Sequence, residues 1–232
     1  AEEMVSRAIA RLRLCERQMS TYRPDSEISR LNALGAARPV EISPMTLRVL
    51  SEAKRFSRLT DGAFDVTYAP LRSLWRHAQN QQKAPPPKKL RQTLNRVGSD
   101  GLVLKNSTAR FDAAGMEVDL GGIAKGFAID EAVRLLRQQG VQSALVDIGG
   151  DMRLIGRRED GEKWKIQVRD PRPGRHDPII LRLEDVAVAT SGDYARFFRI
   201  GDKQFSHIID PRTGRPTRSV LSATVVAPDA MT

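Results

Sequence analysis

Beyond residue 102 the chain breaks into short runs rich in β-branched and aromatic residues, most of them bounded by glycine, proline, asparagine or aspartate, and this limits its fold more than anything else. The runs cover residues 102–104, 109–112, 144–148, 152–155, 164–168, 179–183, 186–190, 197–200, 205–209 and 221–227. Each is too short for a stable helix and suits a strand. Helical spacing appears mainly before them. Residues 2–19 carry the stripe Val5, Ile9, Leu12, Cys15, Met19, and Ser43-Pro44 supplies an N-cap and a first-turn proline to a helix reaching about Leu59. Pro85-Pro86-Pro87 forms a surface connection ahead of a short helix within 88–97. A further helix carries Phe127, Ala128, Ala132, Leu135 and Leu136 to Gln139 and stops at Gly140. Residues 116–120 read as one more strand leading into a glycine turn, and 228–232 as a helix start capped by Asp229. Strands in succession with a few helices between them predict an α+β fold, with helices covering the sheet faces, in one domain spanning 1–232.

With 232 residues, 40% of them hydrophobic, the chain can bury a substantial core. The single cysteine, Cys15, excludes an internal disulfide, and its place on an apolar stripe points to packing. A net charge of +10 and a pI near 10.2 suit nucleic acid, anionic lipid or a phosphate-bearing substrate. The cations are scattered, as with Lys83, Lys88, Lys89 and Arg91 around the prolines and Arg153 through Arg175 along a strand region. Zinc-ligand spacing, an RNA-recognition signature and a dense basic helix are all missing from the sequence, and aromatics make up only 5%, so no nucleic-acid partner is expected.

The segment Asp119-Leu120-Gly121-Gly122-Ile123-Ala124-Lys125-Gly126 leads through paired glycines into a helix start. Free amides of a first helical turn and a nearby lysine suit an anion; a tight turn with a solvated lysine suits the same residues. Ile148-Gly149-Gly150-Asp151 repeats the paired glycines after an apolar run and suits a hairpin bend equally well. Gly62-Ala63-Phe64-Asp65 places a small-residue edge beside an aromatic and a carboxylate, as a flat ring would require. Tyr22, in the polar stretch Ser20-Thr21-Tyr22-Arg23-Pro24-Asp25-Ser26, has little core to join and suits stacking on a heterocycle. His207, in Ser206-His207-Ile208-Ile209-Asp210-Pro211, has no special role by itself.

Together, and in their order along the chain, these segments and Thr190-Ser191-Gly192 closely resemble the ApbE family of FAD:protein FMN transferases. The resemblance runs from Met19 to Thr232. It implies a T-fold-like α+β architecture that binds FAD, cuts its pyrophosphate with Mg2+ and passes FMN to a threonine or serine of an acceptor redox protein, releasing AMP. On this resemblance Tyr22 is the ring-stacking aromatic, and Ala63, Phe64 and Asp65 line FAD. Asp119 and Lys125 fall at flavin-contact positions, Lys125 where some members carry glutamate. Gly122 matches a residue that gives magnesium a carbonyl, His207 a histidine important for transfer, and Ile208 a ligand contact. The family's Met-Gly-Thr strand ahead of the first helix, and its aspartate and threonine metal ligands after Ala230-Met231-Thr232, have no counterpart in the sequence, so a domain short of its first strand and last helix is expected. FAD pyrophosphate hydrolysis and non-catalytic FAD binding are the alternatives. The resemblance also implies a periplasmic or cell-envelope location, with any membrane tether outside these residues.

Overall fold

The computed structural model describes residues 2–232 except 173, 175–177, 193–196 and 218–219, which leaves Arg175 outside the described residues. Its helices and strands, in chain order, are α1 (Glu2–Met19), α2 (Glu27–Leu34), β1 (Val40–Glu41), α3 (Pro44–Leu59), α4 (Ala69–Asn80), α5 (Pro87–Leu94), β2 (Leu102–Lys105), β3 (Thr108–Phe111) and α6 (Ala124–Gln138). Strands follow: β4 (Ala144–Ile148), β5 (Asp151–Ile155), β6 (Trp164–Val168), β7 (Ile179–Leu183), β8 (Ala187–Gly192), β9 (Phe197–Ile200), β10 (Lys203–Ser206), β11 (Ile209–Asp210), β12 (Arg215–Pro216) and β13 (Ser222–Ala227). The fold is α+β, and the chain divides into two compact units.

One unit comprises Ala1–Cys15, Ile123–Ala195 and Val220–Thr232. Its antiparallel sheet has the order β13-β8-β5-β4, α6 packs on β4 and β5, and β6 and β7 form a separate two-stranded ribbon. Ala8, Ile129, Ala132, Val133, Leu136 and Ile155 form the core beneath α6, with Met4 and Leu12 against it. That core corrects the expected stripe on α1: Met4, Ala8 and Leu12 face inward, whereas Val5 and Ile9 are 52% and 42% exposed. Met4, Ala8 and Leu12 follow one another four residues apart, so they share the helix face that meets α6. Cys15 is buried, as expected, and burial pushes its thiol up to about 11.

The other unit comprises Glu16–Gly122 and Arg196–Ser219. It holds α2 to α5, the sheet β1-β3-β2, and the pairs β9–β10 and β11–β12. Trp75 of α4 packs against Phe198 and Phe205, and Leu71, Leu74, Leu90, Ile200 and Ile209 complete that core. Residues 116–120 do not form the expected strand. The Val118 amide donates to Asn32 Oδ1 at 2.8 Å, Asn32 Nδ2 donates to the Val118 carbonyl at 2.9 Å, and the Asp119 amide donates to Val66 O at 2.8 Å. Asn32 occupies the backbone groups that a neighbouring strand would otherwise take. The expected strand 205–209 breaks at His207, because the Ile208 amide turns to Ser206 Oγ at 2.9 Å while the Ile208 carbonyl accepts from the Thr217 amide at 2.9 Å. At 228–232 no helix is formed, but Asp229 makes the expected cap contact, accepting from the Thr232 amide at 2.8 Å.

Candidate functional site

In the second unit the Gly121–Gly122 turn hangs from Asp119. One carboxylate oxygen of Asp119 accepts from the Gly121 amide at 2.7 Å, and the other is ion-paired with Arg72 of α4. Asp119 is only 5% exposed, so it needs that cation. Tyr68, at the end of a single 3-10 turn before α4, lies beside the pair; burial, with the Asp119 charge second, pushes its phenol up to about 12. Tyr22 makes the smallest contribution to that shift, and the residue is 83% exposed.

Of the segment 63–65, Ala63 is exposed, Phe64 half-buried and Asp65 buried. The Asp65 carboxylate accepts from the Thr67 amide and hydroxyl at 2.8 and 2.6 Å, from Ser57 Oγ at 3.0 Å and from the Ser99 amide at 2.8 Å. It is fully engaged in holding its own loop, so the surfaces this segment offers a ligand are its backbone edge and Phe64. Phe64 sits edge-on to Phe56, and a Cβ on Gly122 would stand 3.2 Å from the Phe64 ring. The second unit thus groups Tyr22, Tyr68, Arg72 and Asp119 and sets Gly122 against Phe64.

His207 and Ile208 are both exposed and occupy the corner between β10 and β11. The corner is fixed from below by the hydroxyls of Ser206 and Thr217, 3.2 Å apart. Past it, the 211–214 turn is anchored at Gly214, whose carbonyl accepts from the Trp75 indole at 2.7 Å. Gly214 has φ +67°, and a Cβ there would meet Leu90 and Leu71 at 2.9 and 3.0 Å. Arg212 holds Asp210 below the usual carboxylate range and approaches Gly62, so this turn borders the loop that carries Ala63 and Phe64.

In the first unit Lys125 is not simply solvated: its ammonium lies 2.5 Å from the Asp151 carboxylate, and its side chain is 44% exposed. Asp151 opens β5 directly after Gly149 and Gly150, whose φ of +62° and +91° make the two-residue turn of the β4–β5 hairpin. The Gly150 amide donates to Asp147 at 2.8 Å, so both hairpin ends carry carboxylates. The N-cap residue of α6 is Ile123, whose apolar side chain makes no capping hydrogen bond to the first turn.

The ApbE family model matches residues 2–232. The chain belongs to the ApbE family. Among its relatives, a protein named FAD:protein FMN transferase from Vibrio cholerae is 39% identical over 219 residues, covering 93% of this chain and 66% of the relative. One of the same name from Haemophilus influenzae is 37% identical, covering 93% and 65%. The chain therefore spans about two thirds of the length of these relatives. A solved structure, the flavin transferase ApbE from Vibrio cholerae, superposes with a TM-score of 0.88 at 36% identity, covering 100% of this chain and 75% of that one. The ApbE protein from Thermotoga maritima gives 0.87 at 32% identity, with 99% and 75% covered.

Beside the residues expected from the sequence, this ApbE-family chain places two that were not singled out, Tyr68 and Arg72, and gives Asp151, quoted only as the end of a glycine turn, a partner in Lys125. Tyr68 and Arg72 sit on or next to α4, whose apolar positions Leu71, Leu74, Trp75 and Ala78 do show helical spacing. Once that helix is recognised, the half-exposed Arg72 on it becomes a candidate partner for a buried carboxylate.

Proposed function

We propose that this ApbE-family protein binds FAD and transfers its FMN half to a threonine or serine hydroxyl of an acceptor protein, releasing AMP. The observation that carries this reading is the grouping in the second unit: the bare Tyr22 ring beside Tyr68, and the Gly121–Gly122 backbone held by Asp119 and Arg72 and backed by Phe64. An aromatic face with an adjacent side-chain-free backbone edge suits a flat heterocycle joined to a phosphate chain. The uncapped first turn of α6, with Lys125, is a second feature suited to phosphate.

In the transfer, the acceptor hydroxyl attacks the FMN phosphorus, a new O–P bond forms, and the bond from that phosphorus to the bridging oxygen breaks, so AMP leaves with the oxygen. The hydroxyl proton needs an acceptor, and the exposed His207 is the group assigned that task. Magnesium supplies charge neutralisation on a pyrophosphate when bound. Gly122 would offer it a backbone carbonyl, with the substrate phosphates as further oxygen ligands, and among the described residues no three His, Cys, Asp or Glu side chains cluster as ligands. No step above depends on the ion.

The test is to incubate the protein with FAD, with and without a hydroxyl-bearing acceptor protein, and to follow AMP, free FMN and protein-bound flavin. Acceptor-bound flavin appearing in step with AMP supports transfer. AMP with free FMN and no bound flavin would replace it with hydrolysis, a second reading that the solvent-exposed position of His207 favours. The same proposal places the protein on the envelope side of a bacterial inner membrane, which cell fractionation tests.

A further inference from the structure

We infer that Asp130 is a positioning residue for this reaction: it seats the segment 229–232 on the first turns of α6 and so fixes the turn that carries Lys125. This rests on the transferase reading above. Asp130 lies on α6, and its carboxylate accepts from the Ala230 amide at 2.9 and 3.1 Å and from the Met231 amide at 3.0 Å. Arg153 of β5 donates to the same carboxylate at 2.5 Å. Both side chains of that pair are largely buried, at 17% and 15% exposure. Two consecutive backbone amides aimed at one carboxylate form a small anion nest, filled by a side chain of the protein itself.

The contact is tight as well as polar. A Cβ on Gly126 would lie 1.9 Å from the Ala230 carbonyl oxygen, so this position in the helix must be glycine for the segment to rest where it does. Gly126 directly follows Lys125, and Asp130 is four residues, about one turn, further along α6. The segment is further ordered by Asp229. Burial works against its charged form, yet hydrogen bonds from Thr232 and the charge of Arg153 hold it below the usual carboxylate range. Arg153 thereby serves Asp130 and Asp229 together. Movement of 229–232 would be felt at Gly126 and hence at Lys125, with no need for Asp130 to touch the substrate.

Two substitutions of unrelated chemistry test this in the full-length protein. In Asp130→Asn an amide NH2 replaces one oxygen, so a donor faces donors. Gly126→Ala leaves the charges alone and pushes Ala230 away. Both should raise hydrogen exchange at the Ala230 and Met231 amides by about tenfold while cooperative melting is retained. Both should also lower kcat for AMP release by about tenfold or more, with KM for FAD rising by no more than the roughly two- to fivefold that loss of the Lys125 charge would cause, because misplacement affects the reacting geometry more than binding. Asp130→Glu, which keeps the carboxylate, should recover part of the rate. Faster exchange with an unchanged kcat, or unchanged exchange in both variants, would overturn the positioning role. Absence of AMP release by the unmodified protein would instead remove the transferase reading, and the positioning role with it.

Discussion

The Lys125 ammonium and the Asp151 carboxylate, 2.5 Å apart, tie the first turn of α6 to the first residue of β5. Two residues along the strand, on the same face, Arg153 makes the corresponding pair with Asp130. Helix and strand are thus joined by two ion pairs of opposite polarity, and the outer one is the more exposed.

That exposure sets the first prediction. A pair open to solvent is worth less than about 1 kcal/mol, so a phosphate-bearing ligand can compete with Asp151 for Lys125. Lys125→Ala should weaken FAD binding by about two- to fivefold at low salt, and Asp151→Asn should strengthen it by a similar factor. Both effects should shrink as salt is raised. The measurement is quenching of flavin fluorescence in a titration. Equal affinity in all three proteins would return Lys125 to a purely structural role.

The second prediction concerns the buried end of the Arg72–Asp119 pair. Removing the guanidinium in Arg72→Met leaves a carboxylate that is 5% exposed with no cation. The cost of orphaning such a charge reaches about 3–5 kcal/mol in a dry interior. Arg72 itself is 30% exposed, so water can partly take its place and a loss of about 1–3 kcal/mol is expected. Urea unfolding at neutral pH measures it. The double substitution Arg72→Met with Asp119→Asn should regain part of the loss, and failure to regain any would mean that Arg72 contributes by packing.

Tyr68 makes the pair visible in pH dependence. Its phenol is raised from 10.0 to about 12, chiefly by burial, so between those values the unfolded chain loses its proton while the folded one keeps it. The unfolded state then binds fewer protons, and stability falls as pH rises through this window. Two units correspond to roughly 2–3 kcal/mol. Unfolding at pH 9 and pH 11.5 should show a steeper decline for the native sequence than for Tyr68→Phe. Parallel declines would place Tyr68 in contact with water.

Much of this architecture can be read from the sequence, and the exceptions have physical causes. The helix capped by Ser43-Pro44 and the helix stopped at Gly140 carry their own boundary signals, and both form where expected. The helix α2 escaped notice because Ser26, Glu27, Ser29 and Arg30 read as a polar loop; yet Ser26 caps it, accepting from Ser29 at 2.9 Å, and Ile28 and Leu31 are fully buried. Residues 116–120 show the alternation of a strand, but their partner is the Asn32 side chain, which no local pattern announces. The same limit holds for the site. Tyr22 and the glycine turn stand out by composition, whereas the Arg72–Asp119 and Arg153–Asp130 pairs join residues far apart in the chain.

The last prediction separates close ligand approach from turn geometry at Gly122. Unlike Gly149 and Gly150, Gly122 does not have a positive φ, so a side chain there meets no backbone penalty. What it would meet is the Phe64 ring edge, 3.2 Å from the new Cβ, a contact that a small tilt of a half-buried ring can relieve. Gly122→Ala should therefore cost less than about 1 kcal/mol of stability. The added methyl nevertheless stands on the exposed backbone edge proposed to lie against the nucleotide, and FAD affinity should fall by about tenfold or more, with Gly122→Val worse. Thermal melts and FAD titrations on the same samples compare the two losses. If stability and affinity decline together from glycine through alanine to valine, the glycine is required by the turn and the nucleotide lies elsewhere.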